Sequence, residues 1–304
     1  MRMGVDLGGT KLEAVAMDKM GEIRRRIRVS TPSDYSAIVE TLAKLMTRLE
    51  TEAGAIDVVG VGTPGCICPR TGVIKNAYNT ALQGRALDKD LEQAMKRPVR
   101  VANDANCFAL SEATDGAGAE QGCVFGVILG TGVGAGLVVH GKIWTGRNAI
   151  AGEWGHSPLP GLDVDPVTTF DELPLCSCGY RGCIEAYLSG PAMRRDHLER
   201  TGKKVPPELI AEQAEAGDEA CTETLTRYAD RLARALGAVI NTIDPDVIVL
   251  GGGVSQIPAL YKLVKARWGR HAFTERVETE LLPNRFGDSS GVRGAAWLWS
   301  ANLD

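Results

Sequence analysis

Three glycine-rich turns, each at the end of an apolar run, constrain this chain more than any other feature. Residues 2–7 predict a buried strand that leads into Asp6-Leu7-Gly8-Gly9-Thr10-Lys11. The alternation of Leu12, Ala14 and Ala16 predicts a second strand leaving that turn. Residues 124–129 predict another strand, Gly130-Thr131-Gly132-Val133-Gly134 a turn, and residues 136–139 the return. Residues 247–250 predict a third buried strand, followed by Gly251-Gly252-Gly253. Glycines let a backbone approach a phosphate closely and present N–H donors to it. Thr10 and Lys11 add a hydroxyl and a charge, and Asp6 stands where a carboxylate can hold Mg²⁺ directly or through water. The spacing matches neither a Walker A loop nor a dinucleotide fingerprint. Taken alone, the first could be a plain Gly-Gly hairpin turn. Three together, with strand–turn–strand at 3–16 echoed at 124–139, point to two similar halves closing on a nucleotide.

With 304 residues the chain has room for two domains and a sizeable core. Its formal charge is 34 − 38 = −4, and no basic run suggests nucleic-acid binding. No apolar run is long enough to span a bilayer. The chain opens on a strand rather than an apolar leader, so no signal peptide is expected. Eight cysteines then point to a reducing, cytoplasmic setting. Further strands are expected at 22–29, at 58–61 ending in Gly62-Thr63-Pro64-Gly65, and at 99–102 ending in Asn103-Asp104. A helix capped by Ser33 or Asp34 would bury Ile38, Leu42, Leu45, Met46 and Leu49. Helices are also expected at 88–96, 105–113 and 292–299. Residues 192–243 read as mostly helical, with Leu225, Tyr228, Leu232, Leu236 and Ile240 at helical spacing.

One imidazole and three thiols fall in a single stretch: Gly152-Glu153-Trp154-Gly155-His156, then Cys176, Cys178 and Cys183. Three thiolates and one imidazole fill a tetrahedral zinc shell and leave no position for a catalytic water, so the zinc would be structural. Ordinary buried cysteines, or a disulfide, are the alternatives. Cys66, Cys68, Cys107, Cys123 and Cys221 read as free thiols, and Cys66-Ile67-Cys68 lacks an evident partner pair for a second metal site. Glu153 and Glu185 bracket the cluster, either as solvated charges or as acceptors for sugar hydroxyls. His156 can donate through the nitrogen not on zinc. Asp104, where a strand meets a helix, is either a helix cap or a general base for a hydroxyl attacking a γ-phosphate, with Asn103 fixing the same sugar.

These motifs occur in an order that resembles the ROK family (repressor, open reading frame, kinase) of sugar kinases along the whole chain. Lys75-Asn76-Ala77, Leu87-Asp88-Lys89-Asp90-Leu91 and the segment Gly287-Asp288-Ser289-Ser290-Gly291-Val292-Arg293-Gly294 look most like bacterial fructokinases of the manno(fructo)kinase type. The resemblance implies an actin-like/hexokinase (ribonuclease H-like) fold of two α/β domains with a cleft that closes on the sugar. Residues 1–107 plus 290–304 would form a smaller domain, and 108–289 a larger one carrying the zinc loop. It implies Asp104 as catalytic base. Gly65, Asn103, Glu153, His156 and Glu185 would bind the sugar. Asp6, Gly8, Gly9, Thr10, Lys11, Gly130, Thr131, Gly132, Gly251, Gly252 and Gly253 would bind ATP with Mg²⁺. A homodimer is implied as well. The stretch Ser157–Leu175 looks like an insertion relative to the family. Repressor members carry an N-terminal DNA-binding arm, and a phosphate loop starting at residue 6 leaves no room for one. The expected reaction is phosphorylation of fructose to fructose 6-phosphate, with mannose as a second substrate. The alternatives are a glucokinase or N-acetylhexosamine kinase on the same scaffold, a non-catalytic sugar sensor, and an actin-like chaperone ATPase.

Overall fold

The computed structural model describes residues 1–77, 80–161 and 170–300. Residues 162–169 of the expected insertion lie outside them. The chain forms two compact α/β units. One comprises Met1–Glu120, Gly136–Ala151 and Arg285–Asp304, the other Gln121–Ala135 and Gly152–Asn284. The boundary expected at 107/108 falls inside the helix Asp104–Thr114.

The first sheet is built from β1 (Arg2–Leu7), β2 (Lys11–Met17), β3 (Ile23–Ser30), β4 (Val58–Thr63) and β7 (Val99–Asn103). Its order is β3-β2-β1-β4-β7. β1, β2 and β3 run antiparallel, and β4 and β7 run parallel to β1. A short hairpin, β5 (Cys66–Ile67) and β6 (Ile74–Lys75), follows β4. α1 (Tyr35–Ala53), α2 (Leu87–Met95) and α3 (Asp104–Thr114) complete the alternation. α1 buries Ile38, Leu42, Leu45, Met46 and Leu49, the stripe its spacing predicted. Of the two candidate caps it uses Asp34, whose side chain accepts from Ala37 N at 3.0 Å. β3 is an edge strand, and its Arg24, Arg25, Arg26 and Arg28 discourage pairing with another chain. They pair with Asp18, Glu52 and Glu13, and Arg26 also donates to Ser289 Oγ at 2.8 Å.

The second sheet repeats the plan with β8 (Cys123–Leu129), β9 (Val133–Val139), β10 (Lys142–Ile143), β11 (Val247–Gly251) and β12 (Glu280–Pro283). Its order is β10-β9-β8-β11-β12, with β11 parallel to β8 and β12. The order matches that of the first sheet, so the echo between 3–16 and 124–139 is the start of a duplicated topology. β9 begins at Val133 rather than 136; the Val133 side chain is buried, and its N–H donates to Glu185. The glycine turn shortens accordingly. The helical region divides into α4 (Glu185–Leu188), α5 (Gly190–Thr201), α6 (Pro207–Glu215) and α7 (Glu219–Ile243). α7 buries Leu225, Tyr228, Leu232, Leu236 and Ile240 as the periodicity required. α8 (Pro258–Lys265) precedes β12, and α9 (Ser290–Trp297) follows it.

α9 meets the first sheet and α3 backbone to backbone. A Cβ placed on Gly60 would lie 1.8 Å from Ala295 O, on Gly4 2.3 Å from Val292 O, and on Gly294 1.6 Å from Cys107 O. Any side chain at these positions overpacks the contact, at a cost of about 1–3 kcal/mol or more. Among the described residues, no helix is long and apolar enough to cross a membrane.

Candidate active site

In the first unit the functional candidates collect at the C-terminal ends of the parallel strands β1, β4 and β7, the edge where open α/β sheets place ligands. Asp6 pairs with Gly62, and Thr63 pairs with Asn103. Asp6 is partly buried. Burial, reinforced by the charges of Asp104 and Glu13 and opposed by Lys11 and Arg28, pushes its carboxyl up to about 6. Asp6 and Asp104 are therefore near enough for their charges to interact.

At the junction of β7 and α3, Asp104 does not occupy the cap position itself. The cap is Asn103, whose Oδ1 accepts from Ala105 N at 2.9 Å and Asn106 N at 3.4 Å. Asp104 is the first helical residue, and its Oδ1 accepts from Ala105 N at 2.8 Å. A carboxylate here is favoured by the positive end of the helix. The cap uses the amide oxygen of Asn103. Gly65 has a backbone reason of its own. Its φ is +75°, and a Cβ would meet Lys75 O at 2.2 Å where β6 passes.

In the second unit, Glu153–His156 forms a short 3₁₀ turn. His156 Nδ1 lies 3.5 Å from Cys176 Sγ, and Cys178 Sγ lies 3.8 Å from Cys183 Sγ. The ligand atoms of His156, Cys176, Cys178 and Cys183 all fall within 4.8 Å of one another. Zn–S and Zn–N bonds of about 2.3 and 2.0–2.1 Å at tetrahedral angles require edges of about 3.8 Å for S–S and 3.6 Å for N–S. The donor set and its spacing fit zinc. The thiols are too far apart for a disulfide, and all eight cysteines are free. Burial and the neighbouring thiols push Cys183 up to about 12, and burial also raises Cys176. Metal binding would have to displace those protons. No other group of three or more candidate ligands occurs among the described residues. The Cys66 thiol instead donates to Ala149 O at 3.0 Å.

The other face of the imidazole looks toward Glu153, with Nε2 3.9 Å from Oε2. Glu185, the first residue of α4, spans from the thiol cluster to the glycine turn. Its Oε1 accepts from Ser177 Oγ at 2.5 Å and Cys176 Sγ at 3.4 Å, and its Oε2 accepts from Val133 N at 3.0 Å. A Cβ on Gly132 would lie 2.8 Å from Oε2, so a side chain there would push the carboxylate aside. Gly130 N donates to Gly132 O and Gly130 O accepts from Gly190 N, closing the turn. Gly251 pairs with Ile128, which puts Gly251-Gly252-Gly253 at the same sheet edge as Gly130-Thr131-Gly132. Gly252 has φ +84° and seats against Leu129. Sequence reasoning missed Ser177, whose signal was its place between two candidate ligand cysteines. It also missed Glu112. This fully buried carboxylate on α3 accepts from Ser290 Oγ at 2.7 Å, Ala117 N at 2.9 Å and Arg285 N at 3.1 Å.

The ROK family model matches residues 2–302. The N-acetyl-D-glucosamine kinase of Escherichia coli O157:H7 is 39% identical over 303 residues, covering 98% of this chain and 99% of its own. The enzyme of that name from Salmonella paratyphi C is 40% identical over 301 residues, with the same coverage. Among solved structures, a ROK hexokinase from Thermus thermophilus superposes with a TM-score of 0.83 at 31% identity, over 97% of this chain and 96% of that one. A ROK family glucokinase from Streptomyces griseus in complex with glucose and AMPPNP gives 0.79 at 29% identity, over 98% of both chains. The two-unit α/β fold is therefore hexokinase-like.

Proposed function

The chain belongs to the ROK family of sugar kinases, and from that membership we propose that it phosphorylates the 6-hydroxyl of N-acetyl-D-glucosamine with ATP. The observation that carries the choice of sugar is the likeness, at 39–40% identity over nearly the whole chain, to kinases of that sugar. It favours the N-acetylhexosamine alternative over the fructose reading. Two of the three motifs behind the fructose reading have packing reasons. Leu87 and Leu91 are core residues of α2, and residues 287–294 lead into and form the helix that interlocks with α3 and the sheet.

In this reading Asp104 orients the 6-hydroxyl and accepts its proton as the oxygen attacks the γ-phosphorus. The bond to the β,γ-bridging oxygen breaks, and ADP leaves. Asn103, Glu153, His156 and Glu185 hold the other hydroxyls, which brings the reacting oxygen into line. The N–H groups of Gly9 and Thr10, which have no partner within the turn, are offered to the nucleotide, the turns Gly130-Thr131-Gly132 and Gly251-Gly252-Gly253 lie against it, and Lys11 adds charge. Asp6 would hold the Mg²⁺ that kinase chemistry uses to offset phosphate charge. His156, Cys176, Cys178 and Cys183 would hold zinc, which fixes the imidazole so that Nε2 and Glu153 stay aligned. The chain of 32.4 kDa acts as a homodimer in this reading, which light scattering would check.

The test is coupled ADP release with N-acetylglucosamine, N-acetylmannosamine, glucose, mannose and fructose. N-Acetylglucosamine should give kcat/KM at least ~10-fold above the rest. A higher value for fructose would return the reading to fructokinase, and no turnover with any hexose would remove it.

A further inference from the structure

Thr31 follows directly after β3, and neither the motifs nor the family resemblance singled it out. Its Oγ1 donates to Gly8 O at 2.7 Å, and its N–H donates to Thr10 O at 3.0 Å. Gly8 N closes the turn on Lys11 O at 3.0 Å. The turn between β1 and β2 is thus gripped at two carbonyls by one residue. In a trans peptide the N–H points opposite to the C=O. Fixing Gly8 O against the threonine hydroxyl therefore aims the Gly9 N–H the other way. Among the described residues neither Gly9 N–H nor Thr10 N–H has a protein partner, and both residues are exposed. A Cβ on Gly9 would meet nothing within 4 Å. The turn holds two unused donors with open space above one of them. Glycine supplies that space and also the freedom for the peptide to flip, so something else must set its direction.

We propose that Thr31 is a positioning residue for phosphate binding: its hydroxyl locks the Gly8–Gly9 peptide so that the Gly9 N–H is presented to the nucleotide before ATP arrives. The inference rests on the reading of Gly8-Gly9-Thr10-Lys11 as the ATP phosphate loop. A preset donor costs no reorganisation on binding, whereas a freely flipping glycine peptide must be ordered by the ligand. The side of the turn facing Thr31 borders a cavity of about 210 Å³ lined also by Ser33, Pro64 and Thr80. Water there can take over the Gly8 carbonyl when the hydroxyl is removed, so loss of the clamp need not unfold the turn.

Three variants test it, each assayed for KM of ATP, KM of the sugar, kcat and Tm. Thr31→Val keeps the branched shape and loses the donor. It should raise KM for ATP roughly tenfold, leave sugar KM within about twofold, and keep Tm within about 3 °C. Thr31→Ser keeps the donor and should restore ATP KM to within about twofold of the parent. Lys11→Ala reports whether this loop meets ATP at all. If Lys11→Ala raises ATP KM and Thr31→Val does not, the clamp is wrong while the loop reading stands. If neither variant moves ATP KM, the loop is not the ATP site and both fail. A Thr31→Val defect shared equally by ATP and sugar, or one that serine does not rescue, marks a general structural role and overturns the proposal.

Discussion

Asp6 is held at a cost to stability, and removing its charge should make the protein more stable as it becomes inactive. Its carboxyl is pushed from 3.8 to about 6, chiefly by burial and then by the nearby charges of Asp104 and Glu13. A carboxyl with a raised folded pKa holds its proton more tightly in the folded state than in the unfolded chain. Between pH 3.8 and about 6 the folded state therefore carries more protons, and stability falls as pH rises through that window. A shift of about two units corresponds to about 3 kcal/mol at neutral pH, and the partial exposure of Asp6 brings the expected gain to about 1–2 kcal/mol. Asp6→Asn keeps the shape and removes the charge. Urea denaturation without nucleotide, at pH 8 and pH 4, should show the variant more stable at pH 8 and equal to the parent at pH 4. Activity should fall at both. If the variant is less stable at pH 8, or if its gain persists at pH 4, the charge is not the source of the strain and the reasoning fails.

Three further outcomes are expected. Asp104→Ala should lower kcat by at least ~10²-fold with sugar binding kept, and near-normal turnover in the folded variant would take Asp104 out of the mechanism. One zinc per chain should appear in elemental analysis, and Cys178→Ser should lose it, lower Tm and raise sugar KM while ATP KM changes much less. Equal weakening of both substrates would refute a sugar-positioning role for the loop. Hydrogen bonds from the Thr71 hydroxyl and the Arg70 and Thr71 N–H groups bring the exposed-side thiol of Cys68 down to about 7, so iodoacetamide at pH 7.5 should modify Cys68 first. Peptide mapping that finds another cysteine modified ahead of it would contradict that.

Regular elements with long, periodic patterns were legible in the sequence. The α1 stripe from Ile38 to Leu49 and the α7 stripe from Leu225 to Ile240 match the buried faces, because burial on one side imposes helical spacing. The four zinc-ligand candidates were legible because thiols and imidazole at short range have few other uses, and they meet in space. Elements held by partners far along the chain were not legible. β5 and β6 are two residues each, and α8 buries only Leu260 and Val264, too few positions to show a period. Asn103 as cap and Thr31 as clamp depend on hydrogen-bond directions that a sequence pattern does not encode. The sugar was not legible in these motifs, because Leu87, Leu91 and Gly294 serve packing, and short motifs around packing residues look alike across a family.

The glycine contacts of α9 also set the order in which the chain can fold as it is made. The first sheet and α3 are complete once Thr114 has been synthesised, yet the faces carrying Gly4, Gly60 and Cys107 wait for α9. About 175 residues separate Thr114 from Ser290, roughly 9–35 s of translation at ~5–20 residues per second. Through that interval a strip of close-packing backbone stands open. The second unit, made in between, can condense first. A nascent chain stalled before residue 290 therefore presents a folded middle and an unsealed beginning, the form that chaperones and proteases are placed to intercept.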